Sequence, residues 1–151
     1  FYFTLPLPYD EPATYIIEDS TNAKTVLVID DDLNVVKLYE RYLTPYGYRV
    51  EPLTESTHAV ERAKQVTPFA ITLDIMMPRE SGITLYRELR SDPDLKDIPV
   101  IMLSALSKKT FFHSQKVLDE YKGEKIPQPA AYIEKPPEPD EILEAVRNCL
   151  K

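Results

Sequence analysis

From Lys24 onward the chain alternates between short, wholly apolar runs and longer stretches in which apolar residues recur every three to four positions. Val26-Leu27-Val28-Ile29 is the first such run, the pattern of a strand covered on both faces. Asp30-Asp31-Asp32 ends it, and Val35, Leu38, Tyr39, Tyr42 and Leu43 then follow the 3.6-residue period of an amphipathic helix. Gly47 stops that helix, and residues 48–53 predict a second strand. Pro52 has no amide to donate, which assigns this strand to a sheet edge. A helix over about 57–66 follows, with Val60, Ala63 and Val66 on one face.

The same unit recurs three more times. Residues 69–73 predict a third strand ending at Asp74. The Met76-Met77-Pro78 turn and Gly82 then lead into a helix carrying Leu85, Tyr86 and Leu89. Residues 99–103 predict a fourth strand ending at Ser104, and Phe111, Phe112, Val117, Leu118 and Tyr121 mark a fourth helix that breaks at Gly123. A fifth strand over 131–133 runs into Lys135-Pro136. The last helix has Pro139 near its start and buries Ile142, Leu143, Val146, Cys149 and Leu150. Five strand–helix units in succession imply an α/β fold, a parallel sheet with right-handed crossovers and helices on both faces.

Residues 1–23 break this rhythm. Phe1, Phe3, Leu5 and Leu7 alternate with Tyr2, Thr4 and Pro6, the period of a half-buried strand, and an acidic, proline-interrupted stretch follows. That composition suits an extended tail or linker ahead of a domain over 24–151. The chain opens at Phe1 rather than at a methionine, as expected of a piece of something longer.

Composition narrows the chemistry chiefly through what is scarce. Three widely spaced glycines exclude a Gly-rich dinucleotide or phosphate-binding turn. A single cysteine, Cys149, excludes an internal disulfide and a cysteine-rich zinc site. His58 and His113 lie too far apart for a helical two-histidine zinc motif. The net charge of −7 argues against a nucleic-acid or anionic-membrane surface. Neither a membrane-length apolar run nor a signal-peptide pattern is visible, so a reduced, cytoplasmic setting is expected.

In an open parallel sheet the ligand site lies beyond the carboxyl ends of the strands. Here those ends supply Asp30 and Asp31, Asp74, Ser104 and Lys135: three carboxylates, a hydroxyl and an ammonium from four separate units. With strand order 2-1-3-4-5, strands one and three are neighbours and their carboxylates converge. Converging carboxylates repel unless a cation intervenes, and a hard, oxygen-seeking ion such as Mg²⁺ meets that need. Asp32 reads instead as the cap of the helix that follows.

VLVIDDD (26–32), ITLDIMMPRESG (71–82), VIMLSA (100–105) and AYIEKP (131–136) together resemble the receiver domains of two-component response regulators. The resemblance covers 24–151, with all four motifs in order at strand ends, and implies a flavodoxin-like, doubly wound, five-stranded sheet. It implies that Asp74 is the phosphoacceptor and that Asp30, Asp31, Asp74 and the backbone carbonyl of Met76 hold Mg²⁺. Lys135 and Ser104 would contact the phosphoryl oxygens, and Ser104 and Tyr132 would form the conformational switch. A cis Lys135-Pro136 bond goes with the same resemblance. The implied partner is a histidine kinase or a histidine phosphotransfer domain, with no nucleic acid and no membrane contact. Such a chain is an autocatalytic phosphoacceptor and not itself a kinase.

Two departures accompany the likeness. Ser104 and Lys135 lie 31 positions apart, longer than the family usually shows, with the excess around 121–131. That is where the family commonly dimerises, so the resemblance allows a homodimer through the fourth-helix to fifth-helix face while leaving its usual geometry in doubt. Phe111 and Phe112 cannot both enter one core stripe, which leaves one of them for a partner. FYFTLPLP (1–8) resembles the closing strand of the ATP-binding domain of sensor histidine kinases, which implies the receiver of a hybrid kinase. Two other readings stand beside the receiver. One is a phosphorylation-independent interaction module on the same fold. The other is a metal-dependent phosphatase, which would want an aspartate where Met76 stands.

Overall fold

Val26, Leu27, Val28 and Ile29 are all buried, because successive side chains of one strand feed two cores. Leu27 and Ile29 join Ile71, Leu73, Val100 and Met102 on one face of a sheet, while Val26 and Val28 join Ile101, Leu103 and Ile133 on the other. The computed structural model describes residues 24–77, 82–111, 113 and 128–149. The N-terminal tail, Phe112 and the long segment before the fifth strand lie outside those residues.

Five strands form the sheet: β1 (Lys24–Ile29), β2 (Tyr48–Leu53), β3 (Ala70–Asp74), β4 (Val100–Ser104) and β5 (Ala131–Glu134). They pair in parallel, as the strand–helix alternation implied, and in the order β2-β1-β3-β4-β5 that goes with the flavodoxin-like resemblance. Pro52 accordingly sits on an edge strand, opposite Val28.

The helices divide between the two faces. α1 (Leu33–Leu43) and the last helix, α5 (Pro139–Asn148), cover one, and α2 (Ala59–Val66) and α3 (Gly82–Ser91) cover the other. Residues 108–111 are helical (α4) and bring Phe111 into the α2/α3 core. Among the described residues no helix is long and apolar enough to cross a membrane.

The helix ends follow their sequences. Asp32 caps α1, its carboxylate accepting from the Asn34 amide at 2.9 Å. Pro139 opens α5, where the Glu141 carboxylate reaches back to the Glu138 amide at 2.9 Å. The buried stripe of α1 is Val36, Tyr39 and Leu43; Val35, Leu38 and Tyr42 are half-buried on its flanks. In α2 the smallest side chains, Ala59 and Ala63, face the sheet most closely, and Val60 is half-buried. Cys149, expected in the core, is only half-buried, because it caps α5 where the helix leaves the sheet.

Candidate functional site

Parallel pairing brings the carboxyl ends of all the strands to one edge of the sheet. Ile29 is level with Leu73 in the β1–β3 register, so Asp30 and Asp74 leave neighbouring strands at the same height. Asp74 is level with Leu103, and Ser104 with Glu134, which places Ser104 and then Lys135 along the same rim. The Lys135-Pro136 peptide bond that follows is cis.

Carboxylate oxygens of Asp30, Asp31 and Asp74 lie within 4.8 Å of one another. Asp30 is 1% exposed and Asp74 4%, while Asp31 faces solvent. Each buried carboxylate also fastens the loop that follows it. Asp30 Oδ1 accepts from the Asp32 amide at 2.9 Å, and Asp74 Oδ1 accepts from the Met76 amide at 3.2 Å. Lys135 reaches into the pair, its Nζ 2.8 Å from Asp30 Oδ2 and 3.3 Å from Asp74 Oδ1.

One ammonium does not balance three carboxylates. Burial and the neighbouring Asp30 charge push the Asp74 carboxyl up to about 6, against the pull of Lys135 and the Met76 amide. For Lys135, burial alone would lower the pKa, but the hydrogen bond and charge of Asp30, with Asp74 behind it, outweigh that and hold it above the ordinary lysine range. The result is an oxygen-rich pocket of excess negative charge with one fixed cation at its side. Hard oxygen donors in that arrangement fit a small divalent cation.

Ser104 is fully buried at the end of β4, and its Oγ accepts from the Leu106 amide at 3.1 Å. Tyr132, on β5, donates its hydroxyl to the Leu106 carbonyl at 2.9 Å. Its ring stacks on Phe111 with centroids 4.8 Å apart. Burial raises the Tyr132 phenol pKa, and the adjoining Ser104 hydroxyl works in the opposite direction. Ser104, Leu106 and Tyr132 are thus in hydrogen-bonding contact beside the acidic pocket.

Every residue that the strand-end pattern singled out is therefore brought to this rim. His58 and His113 are not: both are exposed, and His58 starts α2 with its ring 3.2 Å from Glu61. Phe111 enters the core, while Phe112 lies outside the described residues. Two residues matter more than their sequence suggested. Gly82 is buried against the Asp74–Ile75 backbone, and only the need for close approach distinguishes it from a helix-start glycine. Glu134 accepts from the Lys108 amide at 2.9 Å. The period of two along β5 could have revealed it, since it sets Glu134 on the same face as Tyr132.

Comparison with known proteins agrees with this geometry. The family model described as the response regulator receiver domain matches residues 26–147. Response regulator MprA of Mycobacterium leprae (strain TN) is 33% identical over 128 residues, covering 83% of this chain and 50% of that protein. The chain thus spans about half the length of that relative. Among solved structures, a putative response regulator from Chloroflexus aurantiacus J-10-fl aligns with a TM-score of 0.67 at 30% identity. That alignment covers 84% of this chain and 97% of the other. The signal receiver domain of a signal transduction histidine kinase from Syntrophus aciditrophicus aligns with a TM-score of 0.69 at 26% identity, over 85% and 90%.

Proposed function

The chain belongs to the response regulator receiver domain family, and from that premise we propose that it accepts a phosphoryl group from a phosphohistidine onto Asp74. The observation that carries this reading is the placement of Asp74: buried, 3.3 Å from Lys135, with Asp30 and Asp31 grouped around it. An Asp74 oxygen bonds to phosphorus, the phosphorus–nitrogen bond breaks, and the histidine nitrogen leaves with the electron pair. The product is an acyl phosphate. Such transfers need alignment and neutralisation of the equatorial oxygens more than covalent assistance. Lys135 supplies a fixed positive charge beside the acceptor, and the Ser104 hydroxyl a hydrogen bond to one phosphoryl oxygen. Mg²⁺, held by Asp30, Asp31, Asp74 and the Met76 carbonyl, would add the positive charge that the pocket lacks.

Ser104 and Tyr132 form the switch in this reading. Recruiting the Ser104 hydroxyl to the phosphoryl group disturbs its bond to the Leu106 amide, and Tyr132 is bonded to the same residue. The output is a shift between two arrangements of this surface. The donor is a histidine kinase or a histidine phosphotransfer domain, in the cytoplasm. A hybrid sensor kinase is the parent this reading favours, supported by FYFTLPLP (1–8) and by the likeness to a receiver from a signal transduction histidine kinase. The phosphorylation-independent module is less well supported, because Asp30, Asp31, Asp74, Ser104 and Lys135 are all in place.

Incubation with a small radiolabelled acyl-phosphate donor tests the assignment. Mg²⁺-dependent label that disappears in Asp74→Asn is the expected result; label persisting in that variant overturns it.

A further inference from the structure

We infer that Glu134 is a positioning residue that latches the loop after Ser104 in its resting place and thereby restrains the switch; the inference rests on the phosphoacceptor reading of Asp74. Between Ser104 and α4 the chain has only three residues, Ala105 to Ser107, and it is hooked at several points. The Ser104 carbonyl accepts from the Lys135 amide at 2.8 Å as the sheet ladder continues. The Ser104 Oγ holds the Leu106 amide, and Tyr132 holds the Leu106 carbonyl at 2.9 Å. Glu134 Oε1 then holds the amide of Lys108, the first residue of α4, also at 2.9 Å.

The last two hooks come from one strand. Tyr132 and Glu134 are two residues apart on β5, so their side chains leave the same face. Glu134 is also the residue level with Ser104 in the β4–β5 register. The loop is therefore tied back to the strand residue beside its own starting point, and Lys135 follows immediately in the chain. A helix's first amides have no partner within the helix, so Lys108 needs an acceptor from outside. Ser107 serves α4 from its own side, its Oγ accepting from the Thr110 amide at 3.1 Å. Glu134 is the acceptor that comes from β5, one residue before Lys135.

The Lys108–Glu134 bond is exposed. Water can replace either partner at small cost, so the bond biases the loop without fixing it. Movement of the Ser104 hydroxyl toward a phosphoryl group on Asp74 disturbs its bond to the Leu106 amide, and any shift of Leu106 that follows strains the Lys108 tie. Removing the Glu134 carboxylate lowers that resistance and enriches the phosphorylation-ready arrangement. A glutamine keeps an acceptor oxygen at the same reach, so it retains the latch.

The test compares the full chain with Glu134→Ala and Glu134→Gln by two measurements. One is the rate of Mg²⁺-dependent labelling of Asp74 by a small acyl-phosphate donor; the other is amide hydrogen exchange at Lys108 by NMR without metal or donor. Glu134→Ala is expected to label roughly threefold faster and to exchange at Lys108 roughly threefold faster, with Glu134→Gln close to wild type in both. An unchanged labelling rate in Glu134→Ala overturns the restraint, and unchanged Lys108 exchange overturns the contact. Absence of label in the wild type as well refutes the phosphoacceptor reading instead, and Lys108 exchange then decides the latch by itself.

Discussion

Lys135 Nζ lies 2.8 Å from Asp30 Oδ2, closer than the 3.3 Å that separates it from Asp74 Oδ1. The lysine is thus engaged first with a carboxylate assigned to the metal and only second with the acceptor. A divalent cation held by Asp30, as proposed, would compete with that ammonium, and a weaker Asp30 contact would free the lysine to serve Asp74. On the proposed reading, metal binding and presentation of Lys135 to the phosphoryl group would be coupled through Asp30.

Removing the ammonium should therefore strengthen metal binding while weakening the metal-free fold. Lys135→Met is expected to bind Mg²⁺ on the order of fivefold more tightly by titration calorimetry, since a like charge a few ångströms away is removed. The same change leaves Asp30 buried without its partner, which costs about 3 kcal/mol in the metal-free protein by urea denaturation. Weaker Mg²⁺ binding in the variant would contradict the competition.

The raised Asp74 carboxyl makes stability depend on pH. Its folded pKa of about 6 lies above the ordinary 3.8, so the folded protein holds this proton more tightly than the unfolded chain does. Stability contributed by the neutral form is therefore lost as pH rises from 3.8 through about 6. Asp74→Asn cannot ionise and escapes that loss. In chelator it should be more stable than wild type by about 3 kcal/mol near pH 7.5 and equal to it near pH 3.5, from urea midpoints. A gap that stays constant across this range would remove Asp74 as its source.

Thr67 ends α2 with φ 46° and ψ 62°, a left-handed conformation in a residue that carries a branched Cβ. Its amide still closes the helix on the Ala63 carbonyl at 2.8 Å. Glycine keeps that bond and relieves the strain, while losing only the exposed hydroxyl contact to the Val66 carbonyl. Thr67→Gly is expected to raise stability by about 0.5–1 kcal/mol without altering labelling of Asp74, from urea midpoints and acyl-phosphate incubation. A lower midpoint would contradict the strain.

The sheet was legible because its signal is local and repeated. A run such as Val26 to Ile29 declares a strand buried on both faces, and Pro52 declares an edge, with no need for tertiary information. The acidic site was legible because each strand ends where its apolar run ends, so Asp30, Asp74, Ser104 and Lys135 are placed by strand length. Helix phase was less clear. Val35 and Val36 both satisfy the period, and only the position of α1 over the sheet selects Val36 for the core. Contacts between a side chain and a distant backbone were least legible. The alternation along β5 sets Glu134 on the face of Tyr132, but the amide it meets, that of Lys108, is 26 positions away and carries no sequence signal. The long interval before β5 was visible as an excess of residues, but spacing alone carries no conformation.

Gly82 joins the fold to the chemistry most directly. It opens α3, donates its amide to the Ile75 carbonyl at 2.9 Å, and lies so close to β3 that an added Cβ would stand 2.6 Å from Ile75 Cα and against the Asp74 carbonyl oxygen. Both obstacles are backbone, so no rotamer change relieves them. Gly82→Ala must displace either α3 or the end of β3, at a cost of about 1–3 kcal/mol. The end of β3 is Asp74 itself, and if Asp74 is the acceptor as proposed, a shift of a fraction of an ångström would degrade in-line alignment. Labelling by a small acyl-phosphate donor should slow roughly tenfold or more. Lost stability with unchanged labelling would show that α3 moves instead; an unchanged urea midpoint would show that the contact is not tight.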